Sequence, residues 1–195
     1  MLTKIAVFAS GTGTNFINIV NKINIQNIKA GVVLLISNNP NAGAVKFARK
    51  NNINTKIINK CRYKEENIIN KEYKLSLKKN KIDLILLAGY MKKIPVDIIK
   101  IYENKILNIH PSLLPDYGGK GFYGMNVHNA VFDSKENFSG ATVHYVNGKY
   151  DKGPILIQKK IDIQNCKNPV EIAKKVLEVE HEIFPEAVKK YLNKV

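Results

Sequence analysis

The chain has little with which to build a cross-link or a metal site. Its two cysteines, Cys61 and Cys166, lie far apart and belong to no Cys-x-x-Cys or other ligand spacing, so neither a disulfide framework nor a zinc ribbon is expected. None of its four histidines pairs with another at His-x-x-His or His-x-x-x-His spacing, and no metal is expected. No apolar run is long enough to cross a bilayer. The short N-terminal run ends at Gly11 and is too brief for a signal peptide. A cytoplasmic location is the expectation. Acidic residues are scarce as well: 16 of them face 31 lysines and arginines, leaving a formal charge of +15. That excess suits a polyanionic partner. Yet lysine, asparagine and isoleucine recur along the whole chain, and no basic run is interleaved with aromatics. Nucleic acid is therefore not the expected ligand, although phosphorylated small molecules would be attracted.

What is present reads as one globular domain over residues 1–195, monomer or homodimer, with 45% hydrophobic and 24% charged residues. Short apolar runs at Lys4–Ala9, Ala30–Ser37, Thr55–Ile58, Asp83–Ala88 and Ile106–His110 read as buried strands. Helical patterns fall between them, at Phe16–Ile23, Ala42–Lys50, Glu65–Lys79 and Pro95–Tyr102. This alternation predicts an α/β fold with a doubly wound, mostly parallel, Rossmann-like sheet. After Pro115 the pattern changes. A glycine and aromatic stretch, Asp116–Gly124, precedes a helix at Met125–Phe132, strands at Gly140–Val146 and Pro154–Ile161, and a closing helix at Pro169–Leu192. The last two strands, joined by a hairpin-like connection, predict an antiparallel C-terminal part. Ile172, Val176, Val179, Ile183 and Val188 form the closing helix's core stripe, interrupted by Glu180 and His181.

Three stretches carry chemistry. In Ile106–Pro115, Asn108 and His110 are two residues apart on a strand and project from one face at its carboxyl end. An amide donor beside an imidazole suits a reaction in which negative charge develops on a carbonyl oxygen; the same pair also fits a strand end whose polar groups satisfy backbone. Ser10-Gly11-Thr12-Gly13-Thr14-Asn15 joins a strand to a helix start. It is either a tight turn or an anion site built from free N–H groups and the helix dipole. The Gly118–Gly124 stretch is either a surface loop or one able to close over a flat ligand. His128 reads as a surface residue and His144 as a structural, hydrogen-bonded one.

Together, Phe8–Asn15, Leu107–Pro115, Gly140–Val146 and Tyr150–Pro154 resemble the phosphoribosylglycinamide formyltransferase family. The Asn-x-His-Pro-Ser-Leu-Leu-Pro segment is shared by the wider folate-dependent formyltransferases. The resemblance implies transfer of formyl from the co-substrate 10-formyltetrahydrofolate to the amine of glycinamide ribonucleotide, with no metal. It carries over Asn108, His110 and Asp151 as the catalytic set. Asn108 and a protonated His110 would stabilise a tetrahedral intermediate, and Asp151 would favour the imidazolium and assist proton transfer. It puts the ribonucleotide on Gly13, Thr14, Asn15, Gly89, Pro111 and Glu180, and the folate on Met91, Lys92, Ile94, Val146, Asn147 and Tyr150. The N-terminal half would then bind the phosphoribosyl end, and the C-terminal half would carry catalysis and the folate.

Several positions depart from the family pattern. Lys92 stands where arginine is common, Gly148 where an acid is common, and the basic residue that meets phosphate cannot be placed within Arg62–Lys71. A tRNA-directed relative would be expected to carry an added C-terminal domain, and a formyltetrahydrofolate hydrolase an added N-terminal one. A nucleotide-binding module without activity would require the Asn108, His110 and Asp151 set to be accidental.

Overall fold

A computed structural model describes residues 2–194. They form two compact units, one ending at Leu107 and the other beginning at Asn108. The first alternates β1 (Thr3–Phe8), α1 (Thr14–Ile25), β2 (Ala30–Ser37), α2 (Gly43–Lys50), β3 (Asn54–Ile57), α3 (Glu66–Lys79), β4 (Leu84–Leu87) and α4 (Val96–Ile101). Its strands lie in the order β3-β2-β1-β4, with β1 parallel to β2 and β4, and β2 parallel to β3. Flanked on both sides, β1 is buried throughout Ile5–Phe8, which is why its sequence is a continuous apolar run rather than an alternating one. Phe8 stacks on Tyr73, with ring centroids 5.8 Å apart, and meets the edge of Tyr90 at 5.3 Å. The two tyrosine hydroxyls bond each other at 2.5 Å, so the buried Tyr73 and the half-buried Tyr90 have their polar ends satisfied.

β5 (Ile106–His110) carries the chain into the second unit, followed by α5 (Met125–Asp133), β6 (Phe138–Tyr145), β7 (Ile155–Asp162) and α6 (Pro169–Leu192). The strand order there is β5-β6-β7, and β6 and β7 are antiparallel. The α/β class, the parallel strands and the antiparallel C-terminal pair are those expected from the sequence. Helix α6 packs on β6, β7 and α5 through its stripe, Ile172, Val176, Val179, Ile183 and Val188, all buried. One expectation fails here. His128 is not on the surface but only 6% exposed, because it shares the inward face of α5 with Val127 and Val131. Among the described residues no helix is long and apolar enough to cross a membrane.

The start of α6 is a reciprocal cap. The Asn168 side chain accepts from the Glu171 N–H at 3.0 Å, while the Glu171 carboxylate accepts from the Lys167 N–H at 2.8 Å and from the Asn168 amide at 3.0 Å. Pro169 takes the first helical position, where its missing N–H costs nothing. Asn168→Ala should lower unfolding free energy by about 1 kcal/mol, read as a shift in the urea midpoint at unchanged slope.

Candidate active site

Strand geometry brings the expected pair together, and a turn supplies the third group. Asn108 and His110 leave β5 on one face, and Asp151 lies between β6 and β7 in a left-handed conformation, φ +51°. The Asn108 amide nitrogen is 3.5 Å from one Asp151 oxygen, and His110 Nδ1 is 3.7 Å from the other. That second oxygen also accepts the Gly119 N–H at 2.8 Å. His110 Nε2 sits 2.8 Å from the Tyr117 carbonyl. A carbonyl can only accept, so Nε2 carries the hydrogen and, in the neutral ring, Nδ1 presents its lone pair toward Asp151. His144 belongs to the same cluster. Its Nδ1 donates to the Tyr145 carbonyl at 2.9 Å, leaving Nε2 to accept from the Asn108 amide at 3.1 Å. That nitrogen is also 3.5 Å from Asp151.

In this cluster both His110 and Asp151 titrate below their ordinary ranges, for different reasons. Burial holds His110 below the usual histidine range, against the opposing pull of Asp151 and the Tyr117 carbonyl. Desolvation outweighs the neighbouring carboxylate, so burial opposes the imidazolium that Asp151 favours. Burial would raise Asp151, but the His144 contact, the nearby His110 and the Gly119 N–H together hold it below the ordinary carboxylate range. His128, on α5, is pushed down to about 4 by burial and then by His110. Its Nδ1 has no hydrogen-bond partner among the described residues.

A second layer of polar contacts holds the corner after His110. The Thr142 hydroxyl donates to the Ser112 carbonyl at 2.6 Å and accepts from the Leu114 N–H at 3.2 Å. Gln158 donates to the Leu114 carbonyl and to Thr142, both at 2.9 Å. Ser112 donates to the Asp116 carbonyl at 2.6 Å. The β6–β7 register shifts between Val143 and His144, an irregularity of the kind that re-aims a side chain. At Gly153 an added Cβ would run into the Tyr145 carbonyl, so the turn bearing Asp151 needs glycine at its exit. Of the other expected residues in this unit, Pro111 and Val146 are half-buried, Asn147 and Tyr150 exposed, and Glu180 buried in α6.

The first unit carries the glycine turn. Gly13 is the left-handed N-cap of α1, φ +80°, with no side chain capping the helix. A Cβ there would come within 2.7 Å of the Ala44 Cβ, so both handedness and the close passage of α2 require glycine. Ser10 ties this turn to the loop after β4. Its N–H donates to the Gly89 carbonyl at 3.1 Å, its hydroxyl donates to Asn38 at 2.5 Å, and that hydroxyl accepts the Met91 N–H at 2.8 Å. Gly89 is also left-handed, φ +71°. Thr14 and Asn15 open α1, Met91 and Lys92 are exposed, and Ile94 is buried.

Residues 3–188 match the family described as formyl transferase. This chain belongs to the formyl transferase family. It is 41% identical over 186 residues to the chloroplastic phosphoribosylglycinamide formyltransferase of Arabidopsis thaliana, covering 95% of this chain but 64% of that protein's length. It is 34% identical to the phosphoribosylglycinamide formyltransferase of Bacillus subtilis, covering 98% of this chain and 95% of that one. The solved phosphoribosylglycinamide formyltransferase of Bacillus halodurans superposes with a TM-score of 0.90 at 31% identity, covering 98% and 96% of the two chains.

The sequence marks Asn108, His110 and Asp151, and the hydrogen bonds of His144 fit a structural residue, whereas nothing in the sequence marks Tyr117 and Gly119 beyond a loop. The contacts of the latter two run through main-chain atoms, which residue type does not reveal. His144 had one usable signal, a polar residue in an otherwise apolar strand. Since His128 is neutral when folded and ordinary when unfolded, the unfolded chain binds the extra proton between about pH 6.5 and pH 4. Stability should therefore be lost as pH falls through that window, by about 3 kcal/mol from this residue. Urea titrations of wild type and His128→Leu at several pH values should give a visibly shallower acid loss in the variant.

Proposed function

We propose that this chain transfers a formyl group from 10-formyltetrahydrofolate to the amine of glycinamide ribonucleotide, a step of purine biosynthesis. The observation that carries the reading is the convergence of Asn108, at 3.5 Å, and His110, at 3.7 Å, on the Asp151 carboxylate in a formyl transferase chain. The N-terminal half would hold the phosphoribosyl end, at Gly13, Thr14 and Asn15 with Gly89. No side chain caps the start of α1, and a helix N-terminus with its dipole favours an anion. The net charge of +15 favours it too. Pro111 and Glu180 would complete the ribonucleotide's contacts. The exposed apolar Met91 and Tyr150, with Lys92, Ile94, Val146 and Asn147, are proposed for the folate.

In the reaction the substrate amine attacks the formyl carbon, forming a new C–N bond and a tetrahedral centre with charge on oxygen. Asn108 is a suitable donor to that oxygen. One amide hydrogen is committed to His144, while the 3.5 Å contact with Asp151 is weak and open to exchange for a stronger acceptor. The amine's proton passes to the Asp151–His110 pair. A proton arriving on His110 Nδ1 creates an imidazolium beside a carboxylate, which offsets the burial that disfavours it at rest. The same proton then goes to the departing folate nitrogen as its C–N bond breaks, so charges and atoms balance. Holding the two reactants in register can supply roughly 7–11 kcal/mol.

Purified protein given both substrates should release tetrahydrofolate and formylated ribonucleotide, detected by absorbance and mass spectrometry. Inertness on this pair with formylation of methionyl-tRNA instead would contradict the reading. Asn108→Ala should cut turnover about 10²–10³-fold. Asp151→Asn should reduce turnover by a comparable factor while the affinity for glycinamide ribonucleotide, measured by calorimetry, stays within about twofold; a loss confined to affinity would contradict the assigned role.

A further inference from the structure

One short stretch reaches both ionisable members of the proposed catalytic set, and it does so entirely through backbone. The Tyr117 carbonyl accepts from His110 Nε2 at 2.8 Å, and two residues later the Gly119 N–H donates to Asp151 at 2.8 Å. Gly119 is left-handed, φ +97°, as glycine readily is. Tyr117 is left-handed too, φ +53°, a conformation that a bulky aromatic residue adopts only when something outside the backbone holds it there. Two contacts do so. The Tyr117 hydroxyl donates to Glu136 at 2.9 Å, and its ring meets the edge of Phe122 with centroids 6.2 Å apart. Glu136 itself is exposed, beyond the end of α5, and touches neither His110 nor Asp151 in any described hydrogen bond.

We infer that Tyr117 is a positioning residue: anchored by Glu136 and Phe122, it holds a left-handed turn whose carbonyl locks His110 in the Nε2–H form, with Nδ1 turned to Asp151. Without that lock the neutral ring has a competing choice. Asp151 is an acceptor 3.7 Å from Nδ1 and would draw the hydrogen to that side. A ring carrying its hydrogen on Nδ1 has nowhere to receive the substrate's proton in the direction of the carboxylate. The groups facing His110 are thus Asp151 from the β6–β7 turn, His144 from β6, His128 from α5, and the Tyr117 carbonyl. Of these, the Tyr117 carbonyl is the one that sets which nitrogen is protonated. The inference deepens the formyl-transfer reading and rests on it for its kinetic consequence, but not for its spectroscopic one.

The test is an imidazole ¹⁵N–¹H correlation spectrum of the full chain, which distinguishes the two neutral tautomers directly, combined with steady-state kinetics over pH. Wild type should show His110 as the Nε2–H form. Tyr117→Gly tolerates the left-handed turn but loses both anchors. It should show a mixed or Nδ1–H ring, turnover about tenfold lower, and each KM within about twofold. Losing an acceptor that favours the imidazolium should also move the His110 midpoint to lower pH. Tyr117→Phe and Glu136→Ala should share a milder version of the same changes, while Glu136→Gln, which keeps an acceptor, should restore wild-type behaviour. If Tyr117→Gly does not fold, the Tyr117→Phe and Glu136→Ala pair decides. A wild-type His110 spectrum and pH profile in every folded variant would overturn the inference. A tautomer change in a protein that transfers no formyl group would uphold it and reject the proposed reaction.

Discussion

The structure of the second unit depends on keeping one carboxylate charged while its surroundings exclude water. The Asp151 side chain is 12% exposed. An ion so placed is expensive to hold unless its lone pairs are met. They are met by the Gly119 N–H and the Asn108 amide, with the His144 imidazole lying alongside. Each of these groups is fixed by something else. Asn108 is on a strand, Gly119 is in a turn that only glycine takes easily, and His144 sits where the β6–β7 register shifts. The carboxylate is consequently surrounded by donors whose positions precede any ligand, which is the condition for electrostatic stabilisation without reorganisation.

Two different causes act on the titratable groups: burial lowers His110, while the Gly119 N–H and the neighbouring imidazoles hold Asp151 down against the burial that would raise it. The imidazole of His110 loses its proton more readily than usual, and the carboxyl of Asp151 keeps its charge. Such a pair is poised to take up one proton between them during a reaction and to give it back. Around them, Thr142 and Gln158 hold the Ser112–Leu114 corner with three hydrogen bonds and are joined to each other by a fourth. In the first unit Ser10 plays a comparable part, linking the glycine turn, Asn38 and the loop after β4 through a single hydroxyl.

The architecture was legible because its signals are local. Continuous apolar runs mark the buried parallel strands β1, β2 and β4. The Asn108–His110 spacing marks one face of β5, and the stripe from Ile172 to Val188 marks α6. Asp151 was reachable only through resemblance, since nothing in a lone acid between two strands says which histidine it will meet. The roles of Tyr117 and Gly119 were hidden because they act through a carbonyl and an N–H, which every residue has. His128 lies inward because it shares a helix face with Val127 and Val131, and the shift of His110 was hidden because desolvation is a property of the fold rather than of the residues two apart.

The most direct test of this account is the titration of Asp151 itself, followed through its side-chain carboxyl ¹³C resonance in the full chain. A midpoint below the ordinary carboxylate range that rises toward it in Asn108→Ala would agree with a charge held by prearranged donors. A midpoint at or above that range, unmoved by the substitution, would show that the carboxylate is not what the site is built around.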